Sequence, residues 1–597
     1  MNFQCLDDLS AHLHHDAAQG APPVILPELC PEGMDGDLTV NCFRAAKDFH
    51  LNPMALADQA VAFLGSHPDV EKVDKVKAFV NLRLKAAALH RQTAAAAAAL
   101  ATDKVIPDAE RSKILVEYSA PNTNKPLHLG HLRNNCLGMA LCSMLRRAGH
   151  DVVAVNLIND RGIHICKSML AYQRYGDGAT PESAGKKGDH LVGDYYVKFD
   201  TELRAQLAAL REQRPELAAE DNEKLFGQTE IGAAAQDTLR RWEARDPATL
   251  KLWETMNRWV IDGFGQTYKR MGVKFDRVYL ESQTYTLGKD VIQDGLARGV
   301  FHQRPDGAIF ADLKQYKLDT KVLLRSDGTS VYITQDIGTT LEKYKEYHPD
   351  KMVWVVGDEQ IHHFKTLFAI LSQLGHPWAA DLHHLAYGMV NLPSGKMKSR
   401  EGTVVDADNL FDEMFTLAKD ATLERCGDDV PADLDVRSET IAQGALKFML
   451  LKFNPKSTIM FDPGASIKFE GDTGPYVQYA CARIKSIARK AAERGFEFPP
   501  KDVDWSLLDS KWECAVSCQL SQYQQTLRLA ADKLDTSGLV AYSLELAKSF
   551  NAFYRECPVL VAESPALRQA RLALSAAVMA ILEDILTTLT IPVPDAM

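Results

Sequence analysis

Apolar and polar positions divide the chain into stretches of different period. Val61–Leu64 and then Val70–Leu84 alternate apolar with charged residues, as in the run KVKAFVNLRLK. A period of two predicts half-buried strand, here in a small N-terminal unit of mixed α and β character. Thr93–Leu100 carries six consecutive alanines and predicts helix, and ATDKVIPDAER after it reads as a linker. From Lys113 the pattern changes. ILVEY is a short β-rich run, Ala120–Pro126 is turn-rich, His128–Arg147 reads as helix, and DVVAVNLI from Asp151 is a second strand. Strand, helix and strand in that order make a βαβ unit, the start of a parallel sheet. Such sheets bind ligands beyond the carboxyl ends of their strands.

Residues from about 178 to 262 interrupt this pattern with a charged, helix-prone insertion rich in Glu, Arg and Ala. The α/β alternation then resumes: GAIFADL and SVYITQDI are strand-like, and MVWVVGDE is an apolar run ending in polar residues. From about Arg437 onward every segment has helical periodicity, which predicts an all-α C-terminal domain. The expected division is 1–108, 109–435 and 436–597, because 597 residues exceed what one hydrophobic core supports.

Composition adds limits. The net charge of −11 argues against non-specific coating of nucleic acid, although a local basic face suffices for binding. The eleven cysteines are scattered with no C-x-x-C pair, which fits a reducing, cytoplasmic setting better than a disulfide framework. No signal peptide and no run of eighteen apolar residues is visible, so no membrane association is expected.

The densest chemistry lies in Ser119-Ala-Pro-Asn-Thr-Asn-Lys-Pro-Leu-His128-Leu-Gly-His131. Two imidazoles three residues apart read as one helix face, with Gly130 keeping the surface low between them. The helix N-terminus adds N–H donors and partial positive charge, which suits phosphate. His362 and His363 have no cysteine or acidic partners at ligand spacing, so no zinc site is expected.

The run VEYSAPNTNKPLHLGHLRNN resembles the HIGH region of class I aminoacyl-tRNA synthetases, and the arginyl-tRNA synthetase version in particular. The resemblance extends over nearly the whole chain. It implies a Rossmann-like parallel-sheet catalytic core, a small α+β N-terminal domain that contacts tRNA, and an α-helical anticodon-binding bundle. It also implies ATP with Mg²⁺ as a substrate complex, L-arginine and tRNA as partners, and a tRNA requirement even for amino-acid activation. Gly395-Lys-Met-Lys-Ser-Arg-Glu-Gly resembles the KMSKS loop, with Lys396 and Met397 matching its start and Ser399 in place of its second lysine. Lys125, just ahead of the histidines, matches the lysine thought to compensate. Lys396, Lys398 and Arg400 are further candidate cations for ATP.

The same resemblance assigns Glu281, Tyr332 and Asp336 to the arginine guanidinium, and Glu117, Asn122 and Gln360 to its α-amino end. A guanidinium does need planar carboxylate acceptors, and a carboxylate at Glu117, within a strand, would need a cation. His164 stands where the family usually has glutamine, which leaves its role open. Tyr476, Tyr479 and Arg483 fall at helical spacings on one face, suited to stacking unpaired bases. They match anticodon-reading positions, as do Tyr554 and Met597, while Asn81 matches a contact to the tRNA elbow. A monomer is the default. The alternatives are a class I synthetase for another amino acid, a tRNA-binding paralogue without catalysis, and a smaller nucleotidyltransferase with the same H-x-G-H element.

Overall fold

The computed structural model describes residues 3–14, 22–31, 33–393, 405–427 and 429–597. The alternating run after Val70 folds as an antiparallel hairpin, Val70–Val76 against Phe79–Leu84. Leu38–Asn41 and Glu28–Leu29 extend it to a four-stranded sheet. Val61–Leu64 departs from expectation. It is the last turn of helix Pro53–Leu64, which Asn52 caps by accepting the Met54 N–H. Four residues are too few to separate a period of two from one of 3.6. The alanine run is likewise divided: one helix ends at Thr93 and another spans Ala97–Leu100.

The central sheet has five parallel strands in the order Leu382–Tyr387, Lys351–Gly357, Lys113–Glu117, Asp151–Ile158, Arg277–Leu280. The first of these in sequence, Lys113–Glu117, is central, and the chain adds strands on both its sides. Its carboxyl end is therefore a topological switch point, where crossovers diverge and leave a crevice. Helix Leu129–Ala148 packs across it. Close approach requires Gly138, where a Cβ would meet the Tyr118 ring at 2.2 Å.

SVYITQDI is not a strand. Helix Tyr332–Tyr347 begins there, after a small antiparallel sheet of His302–Gln303, Ile309–Ala311 and Lys321–Leu324. Ile333, Ile337 and Thr340 are buried in it at helical spacing, which an eight-residue window does not reveal. The insertion forms helices Gly188–Gln213, Glu230–Glu243 and Pro247–Met271, with a satellite core around Phe199, Leu207 and Ile231. The C-terminal region is helical except for Ile459–Met460, which pairs in parallel with Val390–Asn391. One apolar cluster runs from Ile114 through the 129–148 helix to Ile591, so the sheet unit and the helical bundle share a core.

The N-terminal unit is fastened by His90. Its ring is fully buried, with Nδ1 2.8 Å from Ser517 Oγ and Nε2 2.8 Å from Leu508 O. Burial pushes its pKa down to about 4. The unfolded chain takes up this proton near pH 6.5 and the folded chain only near 4. Stability from this site is therefore intact above about pH 6.5 and falls by up to roughly 3 kcal/mol as pH drops to about 4. Urea midpoints at about pH 7 and about pH 4.5 should differ less in His90→Gln than in the wild type.

Candidate active site

His128 does not share a helix face with His131 as the spacing suggests. It precedes the helix as an extended N-cap residue, φ −134° and ψ 174°. The two rings form a reciprocal cap: Gly130 N–H donates to His128 Nδ1 (3.1 Å) and His128 N–H donates to His131 Nδ1 (3.2 Å). Their centroids are 3.9 Å apart. Because each Nδ1 accepts, the proton of each neutral ring sits on Nε2. Burial, aided by nearby Lys125, pushes His128 down to about 3, and burial also holds His131 well below its ordinary range. At neutral pH the helix N-terminus thus carries two uncharged N–H donors. Burial lowers Lys125 as well. The 188–213 helix lies close to this loop at Gly193, where a Cβ would meet Pro126 Cδ at 2.8 Å.

Lys396, Met397, Lys398 and Arg400 lie outside the described residues. Val405 accepts the Leu129 N–H (3.0 Å), while Ala407 N–H donates to Leu127 O (3.0 Å). Asp406 forms a β-bridge with His128. Asp406 also caps helix Ala407–Cys426. Asp189, His190 and Asp408 bring three potential metal-donor atoms within 4.8 Å of one another. Lys187 Nζ already bonds two of them, at 3.1 Å from Asp189 and 2.6 Å from Asp408, so a lysine supplies the positive charge there.

At the switch point Glu117 is buried and ion-paired to the buried Lys343, whose Nζ also lies 5.5 Å from the Tyr279 ring centre. This is the cation that a carboxylate in a strand demands. Lys343 escaped the sequence reading because it lies beyond SVYITQDI, and only the helix that begins in that run ties the two together. As helix, Asp336 and Lys343 are seven apart on one face. Lys343→Met should cost roughly 3–5 kcal/mol in urea unfolding by stranding a buried charge. A loss below about 1 kcal/mol would contradict a role for this ion pair in holding the site together.

Glu117, Asp336, Thr340, Lys343, Trp354 and Phe364 enclose a cavity of about 50 Å³. Asp336 also lines a larger one of about 480 Å³, together with Asn122, Arg161, His164, Glu281 and Tyr332. Asp336 Oδ2 is 2.6 Å from His363 Nε2, a partner the sequence did not indicate. Glu281 follows the edge strand Arg277–Leu280. Burial raises it to about 7; Arg161 opposes that rise, and Asp160 and Asp336 add to it. Tyr332 is 77% exposed, at the rim. His164 Nδ1 is 3.1 Å from Tyr196 Oη. Gln360 is exposed in the short turn Asp358–Gln360 and lines neither cavity.

On the helical bundle, the Arg483 guanidinium lies 4.7 Å from the Tyr479 ring centre and 5.1 Å from that of Tyr554. Arg425, from the 407–426 helix, extends the ladder over Phe469 (4.3 Å) and Tyr479 (5.1 Å). Neither Arg425 nor Phe469 was legible, since each comes from a different segment. Tyr476 and Met597 pack half-buried against the main core. Asn81 is buried in the N-terminal sheet, its Nδ2 3.7 Å from Met34 Sδ and its Oδ1 without a partner.

Residues 96–462 match the family described as tRNA synthetases class I (R), catalytic domain. The chain belongs to the arginyl-tRNA synthetase family. Residues 8–84 match the arginyl tRNA synthetase N terminal domain, and 477–597 the DALR anticodon binding domain. An arginine–tRNA ligase of Amoebophilus asiaticus is 47% identical over 489 residues, 82% of this chain and 81% of its own. One from Parabacteroides distasonis is 42% identical over 94% of both chains. The solved arginyl-tRNA synthetase of Thermus thermophilus covers 100% of both chains with a TM-score of 0.79 at 28% identity. In this family's terms the parallel sheet is the class I core, preceded by an antiparallel-sheet domain and followed by the helical DALR domain.

Proposed function

We propose that the chain joins L-arginine to its tRNA using ATP, in two steps. An arginine carboxylate oxygen attacks the α-phosphorus of ATP, releasing pyrophosphate and leaving arginyl-adenylate. The terminal ribose hydroxyl of the tRNA then attacks the activated carbonyl, and AMP leaves. The observation that carries the choice of arginine is the pair of carboxylates, Glu281 and Asp336, on one cavity at the carboxyl end of the parallel sheet. They take the guanidinium with Tyr332, while Glu117, Asn122 and Gln360 serve the α-amino end. Gln360 needs a rearrangement of its turn to take part.

His128 and His131 donate from Nε2 to the phosphates, Gly130 gives them room, and Lys125 supplies charge. Lys396, Met397 and Lys398 complete the ATP site. Mg²⁺ enters with ATP, and no structural zinc is part of the scheme. Tyr476, Tyr479, Arg483, Tyr554 and Met597 form the anticodon face, and Asn81 contacts the tRNA elbow once Met34 is displaced. The working domain division is 1–108, 109–435 and 436–597. We place the enzyme in the cytoplasm as a monomer; no helix among the described residues is long and apolar enough to cross a membrane.

Transfer of labelled arginine to tRNA tests the proposal. Acid-precipitable label that depends on ATP and tRNA is expected. Tight tRNA binding without transfer would identify a non-catalytic paralogue instead.

A further inference from the structure

Arg161 is an arginine inside the cavity that the proposed function assigns to arginine. It stands between strand Asp151–Ile158 and helix Ile163–Tyr175, and its side chain is 11% exposed. Its guanidinium lies 4.1 Å from the Tyr285 ring centre and 5.2 Å from that of Trp242. Nη1 lies 3.9 Å from Glu281 Oε1, and Nη2 lies 3.4 Å from Glu243 Oε1. Nε is buried with no hydrogen-bond partner. Stacking therefore does most to hold the group, and it stays close to Glu281 without a close hydrogen bond that would use up that carboxylate.

The charges around Glu281 explain why a cation belongs there. Asp160 faces it from the same loop as Arg161, with Ser282 N and Oγ donating to its oxygens (2.8 and 2.7 Å). Asp336 faces it from the 332–347 helix, with His363 behind. Glu243, from the 230–243 helix, pairs with the other amino group of Arg161, Nη2, and Arg325 stands at the cavity wall. Glu281 is itself mostly buried. Burial and two neighbouring carboxylates favour its protonated form, and a protonated carboxyl cannot pair with a guanidinium in an ionic fork. Among the described residues, Arg161 is the cation that pairs with Glu281, Nη1 to Oε1 at 3.9 Å.

We infer that Arg161 is a positioning residue for amino-acid recognition: its stacked guanidinium opposes protonation of Glu281, so that Glu281 and Asp336 grip the substrate guanidinium together. With Glu281 and Asp336 negative and Arg161 positive, these three groups carry one net negative charge, which a monocationic side chain balances. The inference rests on the reading of this cavity as the arginine site.

The test is the KM for arginine against pH, measured on the full chain by ATP–pyrophosphate exchange with cognate tRNA. In the wild type KM rises as pH falls through about 7, because Glu281 becomes protonated there. In Arg161→Met the rise shifts to higher pH, so that KM at neutral pH increases about fivefold for a shift of one unit, approaching tenfold only at lower pH. The effect falls on KM for arginine rather than on kcat or KM for ATP, and Arg161→Lys, which keeps the charge but not the planar stack, restores only part of it. In a Glu281→Gln background the Arg161→Met change adds nothing further. Superimposable profiles for Arg161→Met and the wild type, or an undiminished loss in the Glu281→Gln background, would overturn the inference. Absence of any arginine-dependent exchange in the wild type would instead remove the underlying reading of the site.

Discussion

Asp336→Ala is expected to lower kcat/KM for arginine by roughly thirtyfold to a few thousandfold, almost all through KM. Truncating one member of a desolvated charge pair costs about 2–5 kcal/mol, because its partner loses both the bond and its water. Asp336 lines both cavities at the switch point and is held by His363 at 2.6 Å. It is therefore a pre-placed acceptor rather than a surface acid. KM for ATP should change little, since the phosphates are assigned to the 129–148 helix N-terminus. Pyrophosphate exchange with each substrate varied in turn separates the two. Equal losses for arginine and ATP would take Asp336 out of the guanidinium site.

The second large effect is expected at the histidines. Removing the imidazole of His128 should reduce kcat by roughly 10²–10³, the range for losing one donor to a transition-state oxyanion. Alanine there also removes an N-cap, worth about 1 kcal/mol of stability, so the informative variant is His128→Asn, which can still cap. Its kcat should fall almost as far as that of alanine while its unfolding midpoint stays near the wild type. The pH dependence has a defined sign. Burial pushes His128 down to about 3, so the ring is neutral throughout the working range. The kcat profile should then show no imidazole limb between about pH 6 and about pH 8. A limb there that disappears in His128→Asn would mean the ring acts as a cation, contrary to its buried, Nδ1-accepting geometry.

The parallel sheet and the helical C-terminus were readable from the chain because their apolar runs are long. ILVEY and DVVAVNLI are buried central strands, and the C-terminal segments sustain helical periodicity over many turns. Short windows failed. Val61–Leu64 and SVYITQDI alternate over only a few residues, and each proved helical once its neighbours were included. The second misreading had a cost for the site, because it hid the face on which Asp336, Thr340 and Lys343 line one cavity. Partners brought together by tertiary folding left no local trace. His363 on Asp336, Lys343 on Glu117, and Arg425 beside Phe469 and Tyr479 all join segments distant in sequence. The H-x-G-H motif follows strand Lys113–Glu117 and opens the next helix as its sequence context suggested, but its spacing did not show His128 acting as a cap instead of a helix-face residue.

The central claim is that this cavity selects arginine and activates it with ATP. It is tested most directly by amino-acid-dependent ATP–pyrophosphate exchange across the standard amino acids, with and without tRNA. Exchange with arginine alone among them is expected, in the presence of cognate tRNA. Exchange driven by another amino acid, or none with arginine even when tRNA is supplied, would contradict it.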